Sequence, residues 1–216
     1  MRRTTLIKIA AALVALGVFG VLFIRSARSV GAEPYTMSRA GLSGWTAGVD
    51  PAAATSGVLL ALWPPQTLAP PLFSQLFTRS GVSLSGPNPV GMPLVLKAEF
   101  DRGLSGTITP DALVELARAS GLESRQARPL CMASRRVSEP GVTREVFFLR
   151  LQHPAFGEFR RQLATRASAE GAGGSSFDPK SVSPVVIVAA TDGNFSSWLP
   201  LSGDDTQDCL APIEVK

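Results

Sequence analysis

The chain is short of the side chains that enzymes use most. It has one histidine, His153, and two cysteines, Cys131 and Cys209, in 216 residues. A lone imidazole has no second histidine or Cys-His grouping to complete a zinc site or a nucleophilic dyad. His153 stands just ahead of Pro154, where a side-chain acceptor caps a helix or faces water. The patterns GxSxG, SxxK and GxxxxGK[ST] are missing, so nucleophile-elbow, Ser-Lys and P-loop chemistry lack their residues. No catalytic residue, metal or cofactor is assigned on these grounds. Charge is also sparse, at 18% of residues against 45% hydrophobic ones, which suits one substantial folded domain and excludes a disordered chain.

The net charge of +4 is misleading as a hint of nucleic-acid binding. Five basic residues, Arg2, Arg3, Lys8, Arg25 and Arg28, fall in the first 28 positions, which hold no acid. The remaining body carries 16 basic and 17 acidic residues, so no nucleic-acid partner is expected. Within the same N-terminal stretch, LIKIAAALVALGVFGVLFI (6–24) is apolar apart from Lys8. As a helix rising about 1.5 Å per residue it approaches the roughly 30 Å hydrocarbon thickness of a bilayer. The expectation is a signal-anchor transmembrane helix within 1–28, a single-pass protein of the cytoplasmic (inner) membrane, and a C-terminal domain on the periplasmic side. The competing reading is a signal peptide cut after Val30-Gly31-Ala32, giving a secreted domain. Arg25 and Arg28, between the apolar run and that cut, favour the anchor. In an oxidising compartment Cys131 and Cys209 are expected to form a disulfide; closing so long a loop is worth about 4.5 kcal/mol at most in the chain-entropy picture.

Residues 29–57 are rich in Gly, Ala and Ser without a sustained period, which reads as a flexible tether, with Trp45 able to dock. Residues 58–216 are then the extracytoplasmic domain with its C-terminal tail. VLLALW (58–63) reads as a strand stopped by Pro64 and Pro65, and PPLFSQLFTRSG as a helix ended by Gly81. LVLKAEF (94–100) reads as a strand. TPDALVELARASG is a helix capped by Thr109 with Pro110 in its first turn. ARPLCMASRRV and VTREVFFLRL flank Ser138-Glu139-Pro140-Gly141 as a hairpin. Pro154 opens a helix whose stripe is Phe156, Phe159, Leu163 and Ala167, and PVVIVAATDGNF (184–195) supplies a last strand. From residue 94 the order is βαββαβ, so the expected fold is α+β: a ferredoxin-like antiparallel sheet with both helices on one face and an N-terminal strand-helix extension, preceded by the transmembrane helix. Val185 to Ala190, uninterrupted by polar residues, suits a central strand.

Residues 118–166 hold ten arginines against four acids. Arg135, Arg136, Arg144, Arg150 and Arg160 are the candidates for an anion-binding face. Such a face would meet anionic lipid, an envelope polyanion, or the chain's own Asp204, Asp205 and Asp208; a solvated surface is the plain alternative. Glu99 and Asp101, on one face of the expected strand, together with Asp192, are the one carboxylate grouping open to a glycosidase-like reading.

The βαββαβ order resembles one lobe of the two-histidine phosphoesterases, including their RNA-repair-like branch. MPLVLKAEF (92–100) and PVVIVAATDGNF take the places of the two strands that carry His-x-Thr in that family, and Thr191-Asp192 echo a Thr-Asp that can follow the second motif. The resemblance covers about residues 92–195. Pro93 or Leu94 stands where the first histidine belongs and Val185 where the second does, with Leu96 and Ile187 in place of the threonines. It therefore implies a scaffold that has lost the family reaction. The function expected is a non-catalytic binding or envelope-assembly module, anchored in the membrane by its N-terminal helix, with an envelope protein or polyanion as partner. A hydrolase with a non-standard site around Asp192 is the alternative.

Overall fold

The computed structural model describes residues 33–169, 177–201 and 209–216. Local signals act as the sequence implies. VLLALW forms a strand, β3 (Val58–Trp63), after β1 (Tyr35–Met37), β2 (Thr46–Val49) and a single helical turn, α1 (Ala53–Ser56). Helix α2 (Ala69–Ser80) begins on prolines, whose missing N–H has no partner to lose in a first turn, and ends at Gly81 with φ 65°. Helix α4 (Pro110–Ala119) follows α3 (Lys97–Gly103), and the Thr109 hydroxyl accepts from the Ala112 amide at 3.3 Å. The hairpin β5 (Arg128–Glu139) and β6 (Val142–Gln152) turns at Gly141, where φ is 82°. Helix α5 (Phe156–Ala169), β7 (Val185–Ala190) and β8 (Cys209–Val215) complete the order.

The assembly of these elements departs from a ferredoxin-like sheet. The strand of the first βα unit is β4 (Met92–Leu96), and it joins β2 and β3 in a separate antiparallel sheet, in the order β2-β3-β4. The other strands form a five-stranded sheet in the order β1-β8-β5-β6-β7. It is mixed rather than antiparallel, because β1 runs parallel to β8. The physical reason is that VLLALW and MPLVL are both apolar enough to be buried and satisfy each other: Leu62 pairs with Met92 and Val58 with Leu96. Beyond Leu96 the chain is helical, not extended, because the Glu99 carboxylate accepts the Leu96 amide at 2.9 Å and starts α3. Glu99 and Asp101 therefore lie on a helix. Helix α4 packs on β2 and β3 of the smaller sheet.

Two apolar layers flank the larger sheet, set by the alternation along β6. Phe147, Leu149 and Leu151 join the main core with Leu60, Leu72, Leu113 and Phe159. Val146 and Phe148 face a smaller cluster with Cys131, Ile187, Trp198 and Leu201. Strand β7 is buried at every position, as its composition implies, yet it is terminal in the sheet rather than central. Ser85 closes its outer end by exchanging backbone hydrogen bonds with Ala190 at 2.8 and 2.9 Å.

Residues 35–216 make one unit that begins inside the stretch read as a tether. Met37, Trp45 and Ala47 are buried there, and the Trp45 indole donates to the Gly41 carbonyl at 3.0 Å. On the outer side of β1, the Gln75 carboxamide of α2 takes the Thr36 amide at 2.9 Å and gives its own N–H to the Thr36 carbonyl at 2.8 Å, as a neighbouring strand would. The apolar segment 6–24, expected to span a membrane, lies outside the described residues, as do Asp204, Asp205 and Asp208. Among the described residues no helix is long and apolar enough to cross a membrane. The fold of the described residues is thus α+β with a mixed sheet and a second small sheet in place of the expected ferredoxin-like sheet, and no membrane-spanning helix is among them.

The Cys131–Cys209 disulfide is present, across a sequence separation of 78. It ties β8 to β5, and β8 is the strand that holds β1 in the sheet. Reduction, or Cys209→Ser, should cost about 2–5 kcal/mol of unfolding free energy, read as a lower urea midpoint. An unchanged midpoint would mean that the ladder alone secures β8.

Candidate functional site

The five candidate arginines are not gathered onto one surface. By register, Arg135, Arg144 and Arg150 share the face of β5–β6 that carries Cys131 and Phe148, whereas Arg136 and its partner Glu145 point to the other. Arg136 pairs with Glu145 at 2.8 Å. Arg144 reaches Glu139 at 3.1 Å and Asp192 at 3.5 Å, and its guanidinium lies 5.7 Å over the Trp198 ring. Arg150 is buried, with Nη1 3.6 Å from Cys209 Sγ.

Arg160 is the exception in kind, being completely buried. It sits four residues after Phe156 and three before Leu163, on the buried stripe of α5. Its fork meets Glu99 through Nη2–Oε1 at 2.7 Å and Nη1–Oε2 at 3.0 Å. It also donates to the carbonyls of Leu94 at 3.1 Å and Asp178 at 2.7 Å, and to the Ser181 hydroxyl at 2.7 Å. The guanidinium lies 4.4 Å over the Phe177 ring, and Ser181 in turn donates to Glu99. With Nε donating to the Pro179 carbonyl at 3.3 Å, every donor direction is used, so Arg160 is a structural pin with nothing left for an external anion. Burial pushes the Glu99 carboxyl up, but Arg160, Ser181 and the Leu96 amide together outweigh it and hold it below its ordinary value of 4.5.

The carboxylates do not assemble either. Glu99 belongs to Arg160, Asp101 to Lys97, and Asp192 accepts from the Trp198 indole at 3.1 Å while facing Arg144. His153 is buried and structural. Its Nδ1 accepts the Ala155 amide at 3.3 Å, so Nε2 carries the proton and donates to the carbonyls of Leu122 at 3.1 Å and Arg125 at 3.0 Å. Burial lowers its pKa from 6.5 against the opposing pull of those carbonyls. Among the described residues no cluster of His, Cys, Asp and Glu could hold a metal ion.

The concavity worth attention lies elsewhere, in a cleft of about 730 Å³ that sequence reasoning did not single out. One wall is the end of β3, with Trp63, Pro64, Pro65 and the Gln66 amide; a second is α2, with Ala69, Pro70 and Phe73. The loop from Gly86 to Val90 closes it, contributing Pro87, Asn88 and Pro89, over Val188 of β7. Two glycines fix the Trp63 indole. A Cβ on Gly91 would stand 2.7 Å from the benzo edge, and one on Gly48 would stand 3.1 Å from Nε1. Phe73 stacks on Phe77 one turn along α2, with centroids 6.4 Å apart, and Phe77 is 55% exposed. Not one charged, thiol or hydroxyl side chain lines the cleft among the described residues. It therefore offers no acid, base or nucleophile, only apolar area and a few amide groups, which is the make-up of a binding pocket. The sequence signal was the pair of proline clusters, WPP and GPNP, of which the first reads locally as a strand breaker.

Comparison with known proteins adds no relative: no family model, no curated protein and no solved structure matches the chain.

Removing one member of the buried pair strands the other. Glu99→Gln or Arg160→Leu should each cost about 3–5 kcal/mol, with the double variant losing less than the sum; additive losses in urea unfolding would deny the pairing. Below pH 4.5 the unfolded chain protonates Glu99 before the folded protein does, so stability should fall as pH drops through that value, and Glu99→Gln should flatten this limb. His153 acts in the same direction at higher pH: the unfolded imidazole takes its proton near 6.5 while the folded one resists. Stability should decline as pH falls below 6.5, and the single imidazole should titrate by NMR below that value. A pKa at or above 6.5 would refute the buried tautomer.

Proposed function

We propose that this chain is a non-catalytic binding module working outside the cytoplasm, and that the cleft walled by Trp63 and Phe73 holds its ligand. The observation that carries the reading is the uncharged, apolar lining of a 730 Å³ space, within the 300–1,000 Å³ range of ligand pockets. Export is supported by the apolar N-terminal run and by the single cysteine pair joined as a disulfide. The arrangement favours an uncharged ligand over an envelope polyanion. Of the arginines assigned to an anion, Arg136, Arg144 and Arg160 are paired with Glu145, Glu139, Asp192 and Glu99, and Arg150 lies buried beside the disulfide. A charged ligand would enter the cleft with no opposite charge to offset its lost hydration.

The test uses the full-length chain and the neutral apolar fluorophore N-phenyl-1-naphthylamine. Saturable binding is expected, with Phe73→Lys weakening it at least tenfold by placing a charge in the cleft and Asp192→Asn leaving it unchanged. Binding that is absent, or indifferent to Phe73→Lys in a folded variant, would reject the cleft as the site.

A further inference from the structure

We infer that a second, smaller cavity at Asp50 is a binding site for a primary ammonium group carried on an unbranched alkyl stem. The site stands apart from the cleft reading and does not depend on it. The cavity, of about 80 Å³, adjoins the cleft and shares Trp63, Pro87 and Pro89 with it. It differs in holding a charge. Asp50, between β2 and α1, lines it and is 5% exposed, the only acid buried to this degree among the described residues. Its Oδ1 accepts the Ala52 amide at 2.9 Å and its Oδ2 accepts the Ser56 hydroxyl at 2.6 Å. Both partners are neutral, and no cation among the described residues pairs with it. Glu99 marks the contrast, since its side chain, 10% exposed, is matched by Arg160. The chain supplies a counter-charge for one enclosed carboxylate and none for the other. Buried charges are ordinarily paired, and each Asp50 oxygen keeps a second lone pair to offer.

The remaining walls select among cations. Apart from Asp50 and Ser56 they are apolar, with Val58, Trp63, Ile187 and Leu199 among them. A hard metal ion takes about six oxygen ligands, and two side chains fall far short of that. A guanidinium spreads its N–H donors around a plane, so most of them would point at hydrocarbon. An ammonium gathers its three donors at one end, where the carboxylate can take them, and trails an alkyl stem that suits the apolar walls. The space, roughly five water-sized positions, accommodates that head and a short length of stem. A neutral alcohol would fill the same volume and leave the Asp50 charge unmatched.

The experiment titrates the full-length chain with n-butylammonium chloride at constant ionic strength, by calorimetry and by the indole N–H signals in NMR. Saturable binding in roughly the millimolar range is expected. The Trp63 signal should move, while those of Trp45 and Trp198, whose indoles donate to Gly41 and Asp192, should stay. n-Butanol should bind at least tenfold more weakly, and sodium chloride should leave the Trp63 signal in place. Asp50→Asn keeps an acceptor for the Ala52 amide and should weaken butylammonium at least tenfold, with N-phenyl-1-naphthylamine bound as before. Nα-acetyl-lysinamide identifies the source: affinity equal to that of butylammonium assigns a lysine side chain, and weaker affinity a free amine. Butanol binding as well as butylammonium, or a Trp63 signal that never moves, would overturn the assignment and leave a cavity for water; these arms need no variant to fold. Butylammonium binding unchanged in folded Asp50→Asn would overturn it as well. Loss of the fluorophore alone would count against the cleft and not against this site.

Discussion

The Arg160–Glu99 pair is the constraint around which the other parts are arranged. A guanidinium with no exposed surface has to find a counter-charge and an acceptor for each N–H, or the fold does not close. It finds them on three separate pieces of chain: the middle of β4 through Leu94, the first turn of α3 through Glu99, and the approach to β7 through Asp178 and Ser181. Glu99 is held from its other side by the Leu96 amide, so one carboxylate starts a helix and neutralises a charge together. The junction of β4 and α3 is thereby fixed against α5. The cleft inherits that order, because β4 pairs with β3 and β3 ends in Trp63.

Local structure was written plainly in the chain. The Thr109-Pro110 cap, the Pro140-Gly141 turn and the glycines after α2 and α4 encode their elements through backbone chemistry that involves only near neighbours. The disulfide followed from the count of cysteines and the expectation of an oxidising compartment. Sheet membership was not legible in the same way, since β3 and β4 choose each other over β5 to β7 through pairing between distant segments. Both strands are apolar throughout, which leaves partner and register open to a reader of sequence.

The site shows the same division. Arg160 was grouped with surface arginines because a charge is normally solvated, yet its position four residues after Phe156 and three before Leu163 places it on the very stripe that the periodicity marks as buried. The spacing held the answer and the residue type argued against it. Trp63 and the two proline clusters went unnoticed as a site for the opposite reason. The prolines of residues 64–71 had a sufficient local explanation in strand termination and a helix start, the GPNP loop was given none, and only the fold brings residues 63–73 and 86–90 to one cleft. Glu99, Asp101, Asp192 and His153, the groups weighed for chemistry, are each engaged by neighbours within the fold.

The Gln75 carboxamide on β1 has a meaning beyond its two hydrogen bonds. A five-stranded sheet has two borders, and each unpaired border is a template on which another molecule's strand can add. Here Thr36 on β1 is answered by a side chain from α2 rather than by a strand, and Ala190 on β7 by the backbone of Ser85. Each margin thus has a backbone position already engaged by the chain itself, so a strand adding there would have to displace Gln75 from Thr36 or Ser85 from Ala190.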